Sequence, residues 1–153
     1  MAKVKNPRKN FLFSIQFPKH PINTYLCQKV TLPDIEVEQV THGDVNRDVK
    51  TAGRISVGNL VMEKLVTTAG SDTWLHDWLM SCQDILLGGG LPPSYYWETV
   101  VVNELAEDGT TVLNQHIMEE VWPCKITGLD LDRTSSENTI EKAEFSVGTI
   151  DKV

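Results

Sequence analysis

Residue types that commonly carry out catalysis are present in this sequence, but their spacing matches no catalytic motif. The histidines show neither the H-E-x-x-H pattern nor another metal-ligand spacing; they are His20, His42, His76 and His116. Gly88 to Gly90 lack the Lys-Ser/Thr that follows in a phosphate loop, and no G-x-S-x-G sequence forms a nucleophile elbow. We therefore expect a protein without enzymatic activity.

The three cysteines, Cys27, Cys82 and Cys124, are too few to form a disulfide framework. No C-x-x-C pair exists, so the usual zinc and redox motifs are absent. We expect three reduced thiols. The alternative is a disulfide between subunits, formed after release into an oxidising medium.

One stretch of the sequence imitates a calcium-binding loop. Asp130, Asp132, Thr134 and Glu141 have the spacing of EF-hand oxygen ligands. The sixth position of that loop requires glycine and is Ser135 here, and the residues that follow alternate like a strand. We therefore expect no bound calcium, and the sequence indicates no other metal or cofactor.

Charge is distributed unevenly along the 153 residues, whose formal net charge is −7. The first ten residues hold four basic side chains and no acidic one: Lys3, Lys5, Arg8 and Lys9. The remaining chain holds 10 of the 14 basic side chains and all 21 acidic ones, a balance of −11. Nucleic-acid binding requires an excess of positive charge, which this body lacks. We expect residues 1–10 to form a basic arm that either docks on an acidic surface or remains a solvated tail.

Hydrophobic periodicity predicts the elements that position these residues. Alternating apolar residues indicate about seven strands, including Phe11–Phe17 and Thr139–Ile150, and Asp108-Gly109 predicts a hairpin turn. Apolar residues at three- and four-residue steps predict a single helix over Ser71–Leu87. The polar stretch 41–54 is expected to be a long loop between strands. Residues 11–153 are thus predicted to form a single β-rich domain.

Acidic residues alternate along one predicted strand. Asp34, Glu36 and Glu38 share one face of it, whereas Ile35 and Val37 share the other. Like charges on one face reduce stability, which calls for a physical reason. Two interpretations remain open at this point: an ordinary solvated face, or a surface that repels a polyanion.

The order of motifs resembles that of the tail tube proteins of contractile-tailed bacteriophages, from Phe11 to Ile150. The similarity begins with the alternating run "LPDIEVEQV" and continues with "AGRISVGNLVMEKLV", a glycine loop that leads into a strand. The segment "SDTWLHDWL" resembles the single helix of that family. The last part, "EEVWPCKITGLDLDRTSSENTIEKAEFSV", resembles its Trp-Pro turn, polar loop and closing strand.

The resemblance implies a β-sandwich or partial barrel with one flanking helix, a fold shared with the haemolysin-coregulated protein of type VI secretion. It implies hexameric rings with an inner β-barrel that stack into the tube of a virion tail, assembled in the bacterial host cytoplasm. The implied partners are the sheath, baseplate, tail terminator and tape-measure proteins, and phage DNA that passes through the channel without specific binding.

Two groups of residues acquire expected roles from this resemblance. Negative charge on the channel wall would keep DNA from adhering, which makes Glu36, Glu38 and Glu63 candidates for the lumen. The basic arm and the long loop are candidates for contacts between stacked rings: Lys3, Lys5, Arg8, Lys9, Asp44, Arg47, Asp48, Lys50 and Arg54.

Other functions remain as alternatives. A type VI secretion tube or a pyocin-like particle would use the same kind of subunit, and a small ligand-binding β-barrel would need a concave apolar pocket. The sequence shows neither a signal peptide nor an apolar run of the ~18–20 residues that a membrane helix needs.

Overall fold

The computed structural model describes residues 7–19, 26–67 and 73–153. Within this part of the chain, nine strands and two helices are formed, which confirms the mainly β fold and adds strands to the seven expected. The elements in order are β1 (Phe13–Gln16), β2 (Cys27–Thr31), β3 (Ile35–Gly43), β4 (Asp48–Val57), β5 (Leu60–Leu65), α1 (Trp74–Cys82), α2 (Pro93–Tyr96), β6 (Glu98–Leu105), β7 (Val112–Ile126), β8 (Ile140–Ser146) and β9 (Thr149–Lys152).

The 15-residue strand β7 belongs to two antiparallel layers. Its first part pairs with β6 and β9, and β6 pairs with β1. Its last part pairs with β8, which continues to β5 and then β2. The change of partner occurs next to Glu120, whose φ of 56° is a left-handed conformation. Because a single strand serves both layers, the two layers curve around one core.

Alternating side chains fill the space between the layers, as the period of two predicts. Leu60 and Met62 of β5 are buried opposite Phe145 and Ala143 of β8, and Val147 completes this predicted inward row. Their aromatic contacts extend to the helix, since Phe145, Phe17 and Trp78 pack with centroids 5.6–6.2 Å apart. The first predicted strand, Phe11–Phe17, begins later than expected, because β1 starts at Phe13 and Phe11 is 75% exposed.

The helix is shorter than predicted, because it ends at Cys82 instead of Leu87. Asp84 ends it by accepting hydrogen bonds from the backbone N–H groups of Leu86 and Leu87, at 2.8 and 3.2 Å. Leu75 and Trp78 are buried as the periodicity predicted, and the Trp78 indole N–H donates to the Tyr96 carbonyl at 2.8 Å. Residues 85–87, predicted to continue the apolar stripe, are exposed instead. The predicted start at Ser71 lies outside the described residues.

The predicted loop over residues 41–54 is wrong, because most of it is paired in a long β-hairpin. β3 and β4 pair from Ile35–Val57 to Gly43–Asp48 and leave only residues 44–47 for the turn. Neither face of this hairpin lies in the core, and residues 41–54 show no alternation of apolar and polar side chains. The alternation on which strand prediction depends is therefore missing from residues 41–54.

Candidate functional site

The β3–β4 hairpin extends from the sandwich with nearly every residue exposed. An isolated two-stranded hairpin is only marginally stable in water, and it needs another surface to pack against. Ile35 and Val37 of β3 pair with Val57 and Ile55 of β4, which places these apolar side chains on one face. Ile55 is 66% exposed, so this apolar face is open in the single chain. The hairpin is thus a candidate surface for assembly.

The turn of the hairpin gathers several of the predicted ring-stacking residues. The Asp44 backbone N–H donates to the Arg47 carbonyl at 2.9 Å, and the Asp44 carboxylate accepts from the Val45 N–H at 2.7 Å. Val45 is 94% exposed at the tip. The remaining predicted residues of this group, Asp48, Lys50 and Arg54, lie along β4.

The three predicted lumen acids do not form one group. Glu36 and Glu38 lie on the same face of β3, and Glu38 is opposite the bulge formed by Gly53 and Arg54. Glu63 belongs to β5 in the main body of the sandwich. The structure therefore brings together two of these carboxylates and separates the third.

Glu63 has positive neighbours on both sides. It lies on the face of β5 that points away from the core, and the strand register places Lys29 of β2 and Lys142 of β8 directly opposite it. Cross-strand neighbours of this kind share one face of a sheet. The charge of Glu63 is consequently balanced locally, unlike that of Glu36, which is opposite Ser56.

The described part of the basic arm contacts its own subunit. The Arg8 guanidinium donates to the Glu104 carboxylate, with Nη1 2.9 Å from Oε2. Lys9 lies in the turn that precedes β1, since its carbonyl accepts from the Leu12 N–H at 3.3 Å. The other predicted arm residues, Lys3 and Lys5, lie outside the described residues.

Two further polar side chains face the same oxygen of Glu104, a contact that no pattern in the sequence predicted. Asn114 Nδ2 donates to it at 3.0 Å, and His116 Nε2 lies 3.5 Å away. Partial burial opposes ionisation of this carboxyl, but the Asn114 hydrogen bond and the charges of His116 and Arg8 hold its pKa below the usual range. Asn114 and His116 both lie on β7, across from β6. The register of the β6–β7 hairpin is the feature that would have predicted their contact with Glu104.

No group of three or more His, Cys, Asp or Glu side chains that could hold a metal ion occurs in residues 7–19, 26–67 and 73–153. Burial raises the pKa of the Cys27 thiol to about 11 and also raises the pKa of Cys82 and Cys124. A raised thiol pKa lowers nucleophilicity at neutral pH. None of the helices in the described chain is long and apolar enough to span a membrane.

An apolar segment that the sequence assigned to the helix also lies on the surface. Leu86 is 93% exposed, and other large apolar side chains near it are exposed as well: Ile85, Leu87, Leu91 and Tyr95. Contiguous apolar exposure of this kind is typical of surfaces that meet another protein. The segment adds a second candidate contact surface to the hairpin.

A cleft also opens between β1 and β2, which are the terminal strands along the path of the two layers. It has a volume of about 1180 Å³ and is lined by core-side residues such as Phe13, Val30 and Leu32, together with Asn103. The Asn103 Oδ1 atom is buried without a hydrogen-bond partner, whereas its Nδ2 donates to Ser14 Oγ at 3.2 Å. An extended segment from another chain could pair with these strand edges.

Solved structures that resemble this fold include chains of contractile injection systems and an Hcp protein. The chain matches the tube-terminating cap of the anti-feeding prophage with a TM-score of 0.81 and 16% identity, covering 100% of this chain and 95% of that one. It matches a chain of the PVC sheath–tube complex in the extended state with a TM-score of 0.79 and 18% identity, covering 98% and 93%. For Hcp1 from Flavobacterium johnsoniae the TM-score is 0.59, with 16% identity and coverage of 93% and 94%.

Sequence comparison leads to the same kind of protein. The tail tube protein gp19 of Enterobacteria phage T4 is 26% identical over 127 residues, which cover 81% of this chain and 77% of that protein. The family model described as T4-like virus tail tube protein gp19 matches residues 9–150, nearly the whole sequence. This chain therefore belongs to the T4-like virus gp19 family of tail tube proteins.

Proposed function

We propose that the chain is the structural subunit of the inner tube of a contractile phage tail, in which hexameric rings stack around a channel for DNA. Family membership supports the structural role in the virion tail. The observation that carries the ring is the β3–β4 hairpin, whose apolar face is exposed in the single chain. Covering Ile35, Val37 and Ile55 with a neighbouring subunit removes apolar surface from water and completes the packing that an isolated hairpin lacks.

The strand edges support the same assembly. β1 and β2 are terminal strands along the path of the two layers, and the cleft between them exposes the core. Pairing with a neighbour in a closed ring leaves no open edge, which removes a route to aggregation. A ring of sandwiches joined in this way encloses a channel.

Partners follow from the relatives and from the proposed channel. Similar chains occur in structures of a sheath–tube complex, a sheath/tube terminator and a baseplate. We expect this chain to contact corresponding sheath, terminator and baseplate proteins, and to surround the tape-measure protein and later the DNA. The exposed apolar segment 85–95 is available for such a contact. Assembly takes place in the cytoplasm of the bacterial host under this proposal.

Ring stacking is assigned to the turn and second strand of the hairpin, together with the basic arm. The Asp44–Arg47 backbone hydrogen bond and the Asp44 carboxylate stabilise the turn, while both side chains are exposed for contacts with the next ring. Asp48, Lys50 and Arg54 extend this mixed charge along β4. Contacts between exposed charges are screened by ions, so stacking should weaken as salt concentration rises.

Negative-stain electron microscopy and sedimentation of the purified protein test the ring. Wild-type protein is expected to form hollow rings or stacked tubes of uniform width. Ile55→Asp should prevent ring formation while the circular dichroism spectrum remains that of the wild type, because a buried carboxylate in the interface would be unpaired. Val45→Asp is the matched control, because it introduces the same charge at the exposed tip and should still form rings. Normal rings from Ile55→Asp would contradict the role of the apolar hairpin face.

A further inference from the structure

The described end of the N-terminal arm, residues 7–10, folds back on its own subunit in the single chain. The Leu105 N–H donates to the Leu12 carbonyl at 2.9 Å, which continues the pairing of β1 with β6 to the end of the strand. The Leu12 N–H then donates to the Lys9 carbonyl at 3.3 Å and closes a turn at Asn10 and Phe11. This turn reverses the chain and brings Arg8 to Glu104.

The surface that receives Arg8 is formed by one end of the β6–β7 hairpin. We name it the arm seat, and it consists of Glu104, Glu107, Asp108, Asn114 and His116. Its three carboxylates, those of Glu104, Glu107 and Asp108, are complementary to the positive charges of the arm. Lys152 lies opposite His116 where β7 pairs with β9. A cavity of about 390 Å³ separates the arm from the hairpin and is lined by Pro7, Lys9, Leu105, Asp108 and Leu113, among others.

A buried polar atom in the seat is left without a hydrogen bond. His116 is only 8% exposed, and its Nε2 points toward the Glu104 carboxylate from 3.5 Å without forming a hydrogen bond. Such an atom is costly unless a charged partner completes its surroundings. His116 Nε2 and the Arg8 guanidinium thus face the same carboxylate oxygen of Glu104, and Arg8 is the one that donates a hydrogen bond to it.

We propose that in the assembled tube the arm seat receives the basic arm of an adjacent copy in place of its own. The proposal rests on the stacked-tube function and identifies the acidic patch that the arm meets. Exchange of an identical segment between subunits preserves the contacts made within one chain, so it requires little energy. The exposed turn at Asn10 and Phe11 is the point at which the arm can open outward.

Repetition around a ring makes this weak contact effective. A single exposed ion pair such as Arg8–Glu104 contributes little to stability. Every subunit of a ring offers one arm and one seat, and contacts made in parallel add up once the first has formed. An arm kept on its own subunit contributes nothing to cohesion between copies.

Mixing two charge-reversed variants tests whether the contact forms between chains. Arg8→Glu carries a repelling arm and a native seat, whereas Glu104→Lys carries a native arm and a repelling seat. Each variant alone is expected to raise the protein concentration needed for tube assembly roughly fivefold, since the pair becomes repulsive. An equimolar mixture should return that concentration to within about twofold of the wild type, because both new pairings between chains are attractive. Tube mass is measured by sedimentation and tube length by electron microscopy.

The controls separate the exchange from folding and from net charge. The double variant Arg8→Glu with Glu104→Lys restores attraction both within and between chains, so its assembly shows that the reversed pair is tolerated by the fold. Lys19→Glu and Glu137→Lys make the same changes in net charge at exposed positions outside the seat. The exchange is overturned if the double variant assembles but the equimolar mixture assembles no better than either single variant. Failure of the wild-type protein to form tubes would instead contradict the proposed function itself.

Discussion

At the scale of single residues, the charges that organise this chain are those that are partly buried. Glu104 uses one oxygen to hold Arg8 and Asn114, with His116 nearby, and thereby ties the arm to β6 and β7. Lys64 is only 3% exposed on the core side of β5 and pairs with Glu141 at 3.3 Å. Its ammonium also lies 5.8 Å from the Trp74 ring centroid, which joins the sheet to the helix.

The Lys64–Glu141 pair leads to a prediction about stability. Glu141→Gln should lower the free energy of unfolding by about 1–3 kcal/mol, because it removes one charge of a buried ion pair. Lys64→Met combined with Glu141→Gln removes both charges of the pair and keeps an apolar side chain of similar length, so we expect a smaller loss, about 1 kcal/mol or less. Urea unfolding followed by fluorescence measures both. Equal losses for the two variants would show that packing, and not the removal of only one charge of the pair, determines the effect.

The turn of the β6–β7 hairpin predicts a dependence on pH. The side-chain and backbone hydrogen bonds from Thr111, together with the Thr110 N–H, lower the pKa of Asp108 to about 2. A carboxyl whose folded pKa is lowered stabilises the protein above its unfolded pKa, and this contribution is lost as the pH falls toward 2.

Asp108→Asn should therefore be less stable than the wild type at pH 6, and the difference should shrink between pH 4 and pH 2. Chemical unfolding at several pH values measures this difference. Exposed Asp130→Asn provides a comparison at a carboxyl that forms no turn of this kind. A difference between wild type and Asp108→Asn that stays constant down to pH 2 would contradict the assignment.

At the scale of elements, β7 and the β3–β4 hairpin determine the shape of the subunit. β7 passes from one layer to the other near Glu120, where the backbone is left-handed, and Gly148 lies against this bend. The Gly148 N–H donates to the Glu119 carbonyl at 3.1 Å. A β-carbon at position 148 would lie 2.7 Å from the β-carbon of Glu120, which is closer than atoms can pack.

This close approach predicts the effect of two substitutions. Gly148→Ala should lower the free energy of unfolding by about 1–3 kcal/mol, because the bend must shift to accept the methyl group. Glu120→Gly removes the opposing side chain and suits the left-handed backbone, so adding it to Gly148→Ala should recover roughly 1 kcal/mol or more. Thermal and urea unfolding test the pair. Gly128→Ala is the control, since a β-carbon there would meet no atom within 4 Å.

At the scale of the whole molecule, a net charge of −7 suits the proposed channel, through which a polyanion must pass without binding. The structure divides the lumen candidates into a pair on β3 and one residue on β5. Glu63 is flanked by Lys29 and Lys142, so its replacement changes a locally balanced surface. Glu36 and Glu38 share a face whose negative charge is less balanced.

We therefore expect charge reversal at these two places to slow DNA delivery by different amounts. Glu36→Lys with Glu38→Lys should leave rings and tubes intact but slow DNA delivery, because a positive wall attracts phosphate groups. For each unit of charge changed, Glu63→Lys should slow DNA delivery less than this double variant does. Electron microscopy of the tails and the rate of DNA release from particles are the two measurements. Wild-type release rates from the double variant would refute a lumen position for these two residues, and Glu137→Lys matches the change in net charge made by Glu63→Lys.

The sequence by itself determined the local features that depend on neighbouring residues. The period of two in Leu60, Met62, Ala143 and Phe145 identified the core strands, and Asp108-Gly109 identified the turn between β6 and β7. These signals are readable because burial on one face forces alternation and because a hairpin turn favours specific residue types. The ordered motifs also indicated the tail tube family, which the family comparison confirms.

Tertiary structure alone decided features that depend on residues far apart in the chain. The pairing of residues 41–54 was hidden because a hairpin exposed on both faces needs no apolar alternation. The helix ended early because the Asp84 carboxylate captured backbone N–H groups that a longer helix would have used. The contact of Arg8 with Glu104 joins positions 96 residues apart, and no local pattern encodes such a distance. Charge and hydropathy specify which groups need partners, whereas the register of the strands specifies which partners they meet.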